Sequence, residues 1–159
     1  MGVILLDQLT KWWAVSTLDT RTIDLVWTLR LNLTFNTGAA FSRGSGLGPF
    51  IAVAAVVVTI VLMRTSRLST SVPISVTLGM VVGGAVGNLG DRVFRTACPL
   101  GPCSDEGRFL GGAVIDFIDF QWWPVFNVAD IGVVVGAILL AFLSSREPHE
   151  SGPPQWGPT

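Results

Sequence analysis

Two aspartates lie in apolar surroundings that an uninterrupted membrane segment would not contain. Asp116 follows Ala113-Val-Ile, and Asp130 directly precedes the apolar run 131–145. A carboxylate costs about 2.5–3.5 kcal/mol at the centre of a membrane span, so such groups usually face a protein-lined cavity and have a function there. Two carboxylates in one site tend to share a proton, which lets one act as a base and the other as an acid. The pair therefore predicts acid–base chemistry, such as the activation of water.

The composition indicates a membrane protein. Of the 159 residues, 50% are apolar and only 13% are charged, whereas soluble domains carry about 25% charged residues. The length fits one domain, and the net charge of −1 gives no indication of nucleic-acid binding. Two cysteines and one histidine, His149, are too few for a His/Cys metal site. We therefore expect neither a metal nor a cofactor.

Three long segments are uncharged or nearly so. They cover residues 47–63, 68–90 and 124–145, and the last contains Asp130. Each is about long enough to cross roughly 30 Å of hydrocarbon. The middle segment contains Gly79, Gly83 and Gly87 at four-residue spacing, which is typical of close helix packing. These segments predict three transmembrane helices, with a proline near the start of the last one.

The N-terminal segment, about residues 1–15, predicts a further helix. Asp7 and Lys11 are four residues apart and can pair on one helical face. Only six residues precede Asp7, so we interpret the segment as the second half of a first helix whose beginning is absent. Residues 22–45 include alternating apolar and polar positions from Leu29 to Asn36, a period typical of a half-buried strand. A small sheet on the membrane surface is therefore expected.

Five polar islands occur in order along the chain, at the ends of the predicted spans. They are Asp7-Gln-Leu-Thr-Lys11, Asn36-Thr-Gly-Ala-Ala-Phe41, Gly87-Asn-Leu-Gly-Asp-Arg92, Val114-Ile-Asp-Phe117 and Phe126-Asn-Val-Ala-Asp130. Their order and content resemble lipoprotein signal peptidase (signal peptidase II), a family of bacterial membrane aspartyl proteases, over roughly residues 3–145.

The resemblance implies a mainly α membrane protein, a four-transmembrane-helix bundle with a small extracytoplasmic antiparallel β-sheet. It places both termini in the cytoplasm and the active site at the outer face of the bacterial cytoplasmic membrane, an orientation that the distribution of basic residues does not decide. The implied substrates are prolipoproteins whose cysteine carries a diacylglyceryl group, and cleavage falls just before that cysteine. Membrane lipids are the other expected partners, nucleic acid is not one, and the protein is expected to be a monomer.

The resemblance also assigns roles by motif. Asp116 and Asp130 correspond to the catalytic dyad. Four residues look like the groups that hold the substrate backbone, namely Asn36, Asn88, Arg92 and Asn127. Three look like supports near the site, namely Asp7, Lys11 and Asp91.

The expected organisation is a single peptidase domain, residues 1–145, with an extracytoplasmic loop over 93–120 and a disordered tail over 146–159. The stretch 93–112 is longer than is usual in the family and contains Cys98 and Cys103. Our hypothesis is a disulfide-stiffened loop over the site, and two unrelated thiols are the alternative.

Several residues have simpler interpretations. Asp130 could be a helix N-terminal charge favoured by the dipole, and Arg92 could simply pair with Asp91. Asp119, three residues after Asp116, is expected to be a surface or interface carboxylate. For the whole chain, the main alternative to a protease is a small transporter or proton-coupled carrier that uses buried carboxylates. A protease-like protein without activity is a further alternative.

Overall fold

The computed structural model describes residues 1–37, 71–95 and 111–145, together with the isolated helical positions 57, 60 and 64. The described elements are, in chain order, α1 (Gly2–Leu18), β1 (Ile23–Val26), β2 (Leu29–Asn36), α2 (Val72–Phe94), β3 (Val114–Asp119) and α3 (Val128–Ser144). The predicted span 47–63 lies outside the described residues apart from the isolated positions within it. Both cysteines and the predicted tail 146–159 also lie outside the described residues.

The three strands form one antiparallel sheet in the order β1-β2-β3. β1 and β2 lie within the predicted sheet region 22–45 and are joined by Trp27 and Thr28, where Trp27 adopts a left-handed φ of 54°. β3 lies within the stretch 93–120, which was predicted as an extracytoplasmic loop, so this stretch contains a strand that the sequence analysis did not predict. Five of its six residues are buried, so both faces are covered. A strand covered on both faces lacks the apolar–polar alternation that identifies a half-buried strand.

α1 covers one face of this sheet. Ala14 and Leu18 of α1 form a buried cluster with Ile115 and Phe117 of β3. Trp13 adds an edge-to-face contact with Phe117, with ring centroids 6.4 Å apart. α1 thus extends beyond the predicted end at residue 15, because its last turn packs on the sheet.

Glycines allow α2 to approach both other helices closely. A Cβ atom on Gly84 would overlap the carbonyl oxygen of Ala129 in α3, and one on Gly83 would lie 3.2 Å from Val3 Cβ in α1. From the opposite side, Gly136 of α3 faces the carbonyl oxygen of Thr77. The predicted packing stripe on α2 is therefore divided between two partners.

The boundaries of two helices differ from the predicted ones. α2 is shifted towards the C-terminus relative to the predicted 68–90, which places Arg92 inside the helix. α3 begins at Val128, not at 124, because Asn127 adopts extended backbone angles and caps the helix. Before the cap, Phe126 pairs with Ile118 through backbone hydrogen bonds of 2.9 and 3.1 Å. This pairing holds the start of α3 against β3.

Among the described helices, α2 is the one that is long and apolar enough to cross a membrane by length and composition, and α3 is a shorter apolar helix. All three helices carry exposed apolar side chains on their outer faces. Examples are Leu5, Leu9, Val76, Val86, Val134 and Ile138. Exposed apolar side chains on several helices are expected where the helices contact lipid.

Candidate active site

Asp116 lies in the middle of β3 and is 3% exposed. Its two carboxylate oxygens accept hydrogen bonds from different elements: Oδ1 from Asn127 Nδ2 at 2.7 Å, and Oδ2 from Asn36 Nδ2 at 3.1 Å. Asn36 reaches it because β2 and β3 are adjacent strands. The carboxylate is therefore held on both sides by amide donors.

Asp130 is the third residue of α3 and forms a reciprocal capping box with Asn127. The Asn127 side chain accepts from Asp130 N at 3.0 Å, and Asp130 Oδ2 accepts from Asn127 N at 3.1 Å. The other oxygen, Oδ1, accepts from Asn88 Nδ2 at 2.8 Å. The simple interpretation of Asp130 as a helix N-terminal residue is thus correct in geometry, but the same carboxylate also belongs to a polar cluster that contains Asp116.

Asn127 connects the two aspartates. Its side chain is fully buried, and because its oxygen caps α3, its Nδ2 must point towards β3. There Nδ2 lies within hydrogen-bond distance of Asp116 Oδ1, the Ile115 carbonyl oxygen at 3.2 Å and Asn88 Oδ1 at 3.0 Å. One residue therefore ties the helix that carries Asp130 to the strand that carries Asp116.

Burial, together with the nearby negative charge of Asp130, raises the pKa of Asp116 from 3.8 to about 7. The hydrogen bonds from Asn36 and Asn127 act in the opposite direction, since they favour the ionised form. Near neutral pH, Asp116 can therefore hold or release a proton. Such a pair is suited to acid–base chemistry at an amide bond.

Arg92, in the last turn of α2, is 7% exposed, and its charge interacts with the carboxylates of Asp116, Asp91 and Asp130. Among the described residues, its Nη1 atom is buried without a hydrogen-bond partner. The predicted alternative, a simple pair with Asp91, is not the arrangement found. Asp91 is instead paired with Lys11 at 2.7 Å and with Arg95 at 2.7 Å. Arg92 thus has a buried donor that is not used by the described residues, and its charge acts on both Asp116 and Asp130.

Asp7, Lys11 and Asp91 form a buried charged cluster behind the site. Lys11 Nζ lies 2.9 Å from Asp7 Oδ2 and 2.7 Å from Asp91 Oδ2, and all three side chains are essentially unexposed. Asp7 Oδ1 accepts from Ala129 N at 3.0 Å, which satisfies another free N–H at the start of α3. Asp91 Oδ2 accepts from Ile115 N in β3 at 3.3 Å. The cluster therefore joins α1, α2, α3 and β3.

Comparison with known proteins identifies the chain. The family model for signal peptidase (SPase) II, Peptidase_A8, matches residues 1–146. The chain belongs to the signal peptidase II family. The resemblance inferred from the five polar islands is therefore confirmed, and the activity is that of a lipoprotein signal peptidase, an aspartic membrane peptidase.

Relatives in two genera support the same assignment. A lipoprotein signal peptidase of Rhodococcus jostii (strain RHA1) is 42% identical over 146 residues, which cover 90% of this chain and 69% of the relative. A lipoprotein signal peptidase of Mycobacterium leprae (strain Br4923) is 42% identical over 144 residues, which cover 89% of this chain and 67% of the relative.

Two solved structures share the fold. Both are bacterial membrane enzymes determined by the in meso method, at 1.9 and 2.3 Å resolution. The first has a TM-score of 0.70 at 24% identity and covers 92% of this chain and 90% of its own. The second has a TM-score of 0.67 at 26% identity, with coverages of 94% and 89%. The chain is therefore an integral membrane protein, mostly helical with a small three-stranded antiparallel sheet.

All nine residues assigned by motif lie in or beside this one cluster, and sequence reasoning missed two others there. Gln8 Nε2 lies within 3.3 Å of Asp91 Oδ1 and the Gly87 carbonyl oxygen. Arg95 pairs with Asp91 one helical turn away. The four-residue spacing of Asp91 and Arg95 was the available signal. Gln8 has no comparable signal, because its contacts are made across the interface of two helices.

Asp119 was expected to be a surface or interface carboxylate, but the structure buries it. It is 4% exposed, pairs with Arg30 Nε at 2.7 Å and accepts from Gln121 N at 2.6 Å. Asp116 and Asp119 are three residues apart on β3, so their side chains point to opposite faces of the sheet. Asp119 therefore stabilises the turn after β3 and is separate from the Asp116 cluster.

The Asn36 hydrogen bond predicts a shift in the pH profile. Because that bond lowers the pKa of Asp116, its removal in Asn36→Ala should raise the pKa above about 7. Proton loss from Asp116 would then occur at higher pH, and the basic limb of the kcat/KM profile should move upwards. The measurement is kcat/KM for a lipidated prolipoprotein between pH 5 and 9. Asn32→Ala is a matched control on the same strand, since Asn32 contacts Thr22 instead. An unmoved basic limb in Asn36→Ala would contradict this role of the bond.

Proposed function

We propose that Asp116 and Asp130 are the catalytic dyad of this signal peptidase II. The substrates are prolipoproteins with a diacylglyceryl-modified cysteine, and cleavage occurs directly before that cysteine. The observation that carries the proposal is the Asn127 link, which places a buried carboxylate on β3 and a capping carboxylate on α3 in one hydrogen-bonded cluster. Among the described residues, this is the pair in which one carboxylate is buried and the other, Asp130, remains partly accessible to solvent. The carboxylates of Asp7 and Asp91 are also buried, but both are paired with Lys11.

In the proposed mechanism, the dyad shares one proton and holds a water molecule. The ionised carboxylate removes a proton from the water as it attacks the scissile carbonyl, and the protonated partner donates to the amide. The proton belongs to the pair, so no single aspartate is assigned as the acid. The raised pKa of Asp116, about 7, supports a singly protonated pair at neutral pH.

Four polar side chains are proposed to hold the substrate backbone: Asn36, Asn88, Arg92 and Asn127. Arg92 is the strongest candidate, because its Nη1 is a buried donor without a partner among the described residues. A substrate carbonyl would satisfy that donor, and an unsatisfied buried donor otherwise costs about 1–3 kcal/mol. Asn36 and Asn127 also donate hydrogen bonds to Asp116, so they would hold the catalytic carboxylate in place at the same time.

The proposed setting is a four-helix bundle in the bacterial cytoplasmic membrane, with the sheet and the dyad at the outer face, and with the protein acting as a monomer. Residues 1–145 would form one peptidase domain in contact with membrane lipids. The position of the dyad supports this: Asp130 begins α3 and Arg92 lies in the last turn of α2, so both lie at helix ends beside the sheet. That clustering at one end does not favour the alternative of a proton-coupled carrier, which needs a path across the bilayer.

The test is a cleavage assay with two matched substrates. Purified full-length protein in lipid or detergent is incubated with a synthetic prolipoprotein that carries the diacylglyceryl group, and with the same peptide unmodified. We expect mass spectrometry to show a new N-terminus at the lipidated cysteine and little or no cleavage of the unmodified peptide. Cleavage at another bond, or none by protein that unfolds cooperatively on heating, would refute the proposed function.

A further inference from the structure

The side-chain amide of Asn88 is oriented in one direction by its neighbours. Its Oδ1 atom lies 2.8 Å from Lys11 Nζ, and its Nδ2 atom donates to Asp130 Oδ1 at 2.8 Å. An ammonium group has donors only, so it requires the oxygen end of the amide. With the oxygen turned towards Lys11, the nitrogen must face Asp130.

Lys11 has no donor left for any other purpose. Its ammonium group carries three N–H bonds, and it has three acceptors within 2.9 Å: Asp7 Oδ2, Asp91 Oδ2 and Asn88 Oδ1. The side chain is fully buried. Lys11 therefore cannot donate to substrate or to Asp130 in this arrangement. Its hydrogen-bonded influence on Asp130 passes through Asn88, whereas its positive charge also acts directly on Asp116, whose pKa it lowers.

Asn127 constrains Asn88 less strongly than Lys11 does. Its Nδ2 atom is 3.0 Å from Asn88 Oδ1, but the same nitrogen has only two hydrogens and also faces Asp116 Oδ1 at 2.7 Å and the Ile115 carbonyl oxygen at 3.2 Å. The bond to Asn88 is therefore shared, whereas the bond from Lys11 is short and charge-assisted. Without the lysine, the Asn88 amide could rotate.

We propose that Lys11 is a positioning residue for the dyad: it fixes the direction of the Asn88 amide, so that an N–H always faces Oδ1 of Asp130. That oxygen is then kept as an acceptor, and the shared proton of the pair is directed away from it. The inference deepens the proposed function and rests on the assignment of Asp130 to the dyad. It concerns the proton arrangement in the catalytic step, so the expected loss is in kcat and not in KM.

The test is a double-mutant cycle with Lys11→Met and Asn88→Ala. Lys11→Met should lower kcat by about 10- to 100-fold, the scale of losing one hydrogen bond to a charged group, with little change in KM. In the Asn88→Ala background, Lys11→Met should cause a much smaller further loss of kcat, because the residue that it orients is absent and only its direct charge effect on Asp116 remains. Equal losses of kcat in both backgrounds would overturn the proposal.

Arg95→Met is the matched control. Arg95 pairs with Asp91 through Oδ1, whereas Lys11 uses Oδ2, and the hydrogen-bond partners of Arg95 among the described residues are Asp91 and Gln8, not Asn88. Its removal also takes a cation from the cluster, but its effect on kcat should be the same with and without Asn88. If Arg95→Met depended on Asn88 as strongly as Lys11→Met does, the effect would belong to the charged cluster as a whole, and the proposal would be wrong.

Folding and function are separated by two further measurements. If Lys11→Met does not fold, the cycle is repeated in an Asp91→Asn background, which removes one buried anion together with the cation. Side-chain amide NMR of ¹⁵N-asparagine-labelled protein gives a readout that does not require cleavage. The signal lost in Asn88→Ala identifies Asn88, and this signal should shift or broaden in Lys11→Met and remain unchanged in Arg95→Met. An unchanged Asn88 signal in folded Lys11→Met would refute the positioning role, whereas a parent protein that fails to cleave would refute the proposed function alone.

Discussion

Replacement of Asp116 or Asp130 by asparagine should lower kcat by at least about 10²–10⁴-fold, the scale of removing an acid–base group. Either change leaves one carboxylate, which cannot serve as base and acid in the same step. Asparagine has the shape of aspartate and can still accept the hydrogen bond from Asn127 at either position, although its NH2 group replaces the oxygen that accepts from Asn36 or from Asn88. The measurement is kcat for the diacylglyceryl-modified prolipoprotein. If either variant cleaved at the parental rate, the dyad assignment would be wrong.

Thermal stability distinguishes this loss of activity from unfolding. Asp116 has its pKa raised from 3.8 to about 7 in the folded protein, so between these values the folded state holds a proton that the unfolded state releases. Its contribution to stability is therefore complete below pH 3.8 and is lost as the pH rises through about 7. Asp116→Asn does not titrate. This inactive variant should have a higher Tm than the parent at pH 8 and a weaker dependence of Tm on pH.

Asp119→Asn is the matched control for both variants. Asp119 lies on the same strand as Asp116 but on the opposite face, where it pairs with Arg30. The substitution should reduce thermal stability, because it weakens that ion pair and the turn at Gln121. It should retain most of the activity. A loss of kcat as large as that of Asp116→Asn would mean that Asp119 has a direct role in catalysis.

Gly84→Ala should have the second largest effect. The added Cβ would overlap the carbonyl oxygen of Ala129 and lie 2.8 Å from Val133 Cγ2. A backbone oxygen cannot rotate away, so α2 and α3 must separate. Overpacking of this kind typically costs about 1–3 kcal/mol. Because Ala129 directly precedes Asp130, the shift also moves the proposed dyad, and a displacement of about 1 Å can lower the rate about 10²-fold. We therefore expect both a lower Tm and a lower kcat.

Gly79→Ala provides the comparison on the same helix. Gly79 is exposed, and a Cβ there would meet no described atom within 4 Å. Because alanine is favoured over glycine inside a helix, the stability of the protein should stay the same or rise by up to about 0.5–1 kcal/mol, with kcat unchanged. Equal effects of the two substitutions on Tm and kcat would show that close packing of α2 on α3 does not position Asp130.

Three glycines of α2 show how much of the packing the sequence alone can predict. Gly79 and Gly83 belong to a stripe that four-residue spacing identifies as a packing face, but only the folded chain separates them. Gly83 contacts α1, Gly84 contacts α3, and Gly79 is exposed. Helical spacing shows which residues share a face. Which helix packs against that face depends on contacts between distant parts of the chain.

The strand β3 was missed for a related reason. Its residues are almost all buried, so it has no polar face to give period-two alternation. Its partner, β2, is distant in sequence, and Asp116 and Asn36 are joined by a hydrogen bond over 80 residues. Local pattern could therefore identify Asp116 as unusual. It could not place Asp116 on a strand, or distinguish its face from that of Asp119.

The sequence by itself determined the membrane class, the helical and strand periodicities of α1, α2 and β2, and which residues are proposed to carry the chemistry. These follow from composition, from local spacing and from motifs in fixed order. Only the tertiary structure decided how the residues act together: Asn127 joins Asp116 to Asp130, Lys11 orients Asn88, and Asp119 faces away with Arg30. The physical reason is that hydrogen bonds are directional and short. Their partners are therefore set by side chains that are distant in sequence and become adjacent only when the helices and the sheet have packed.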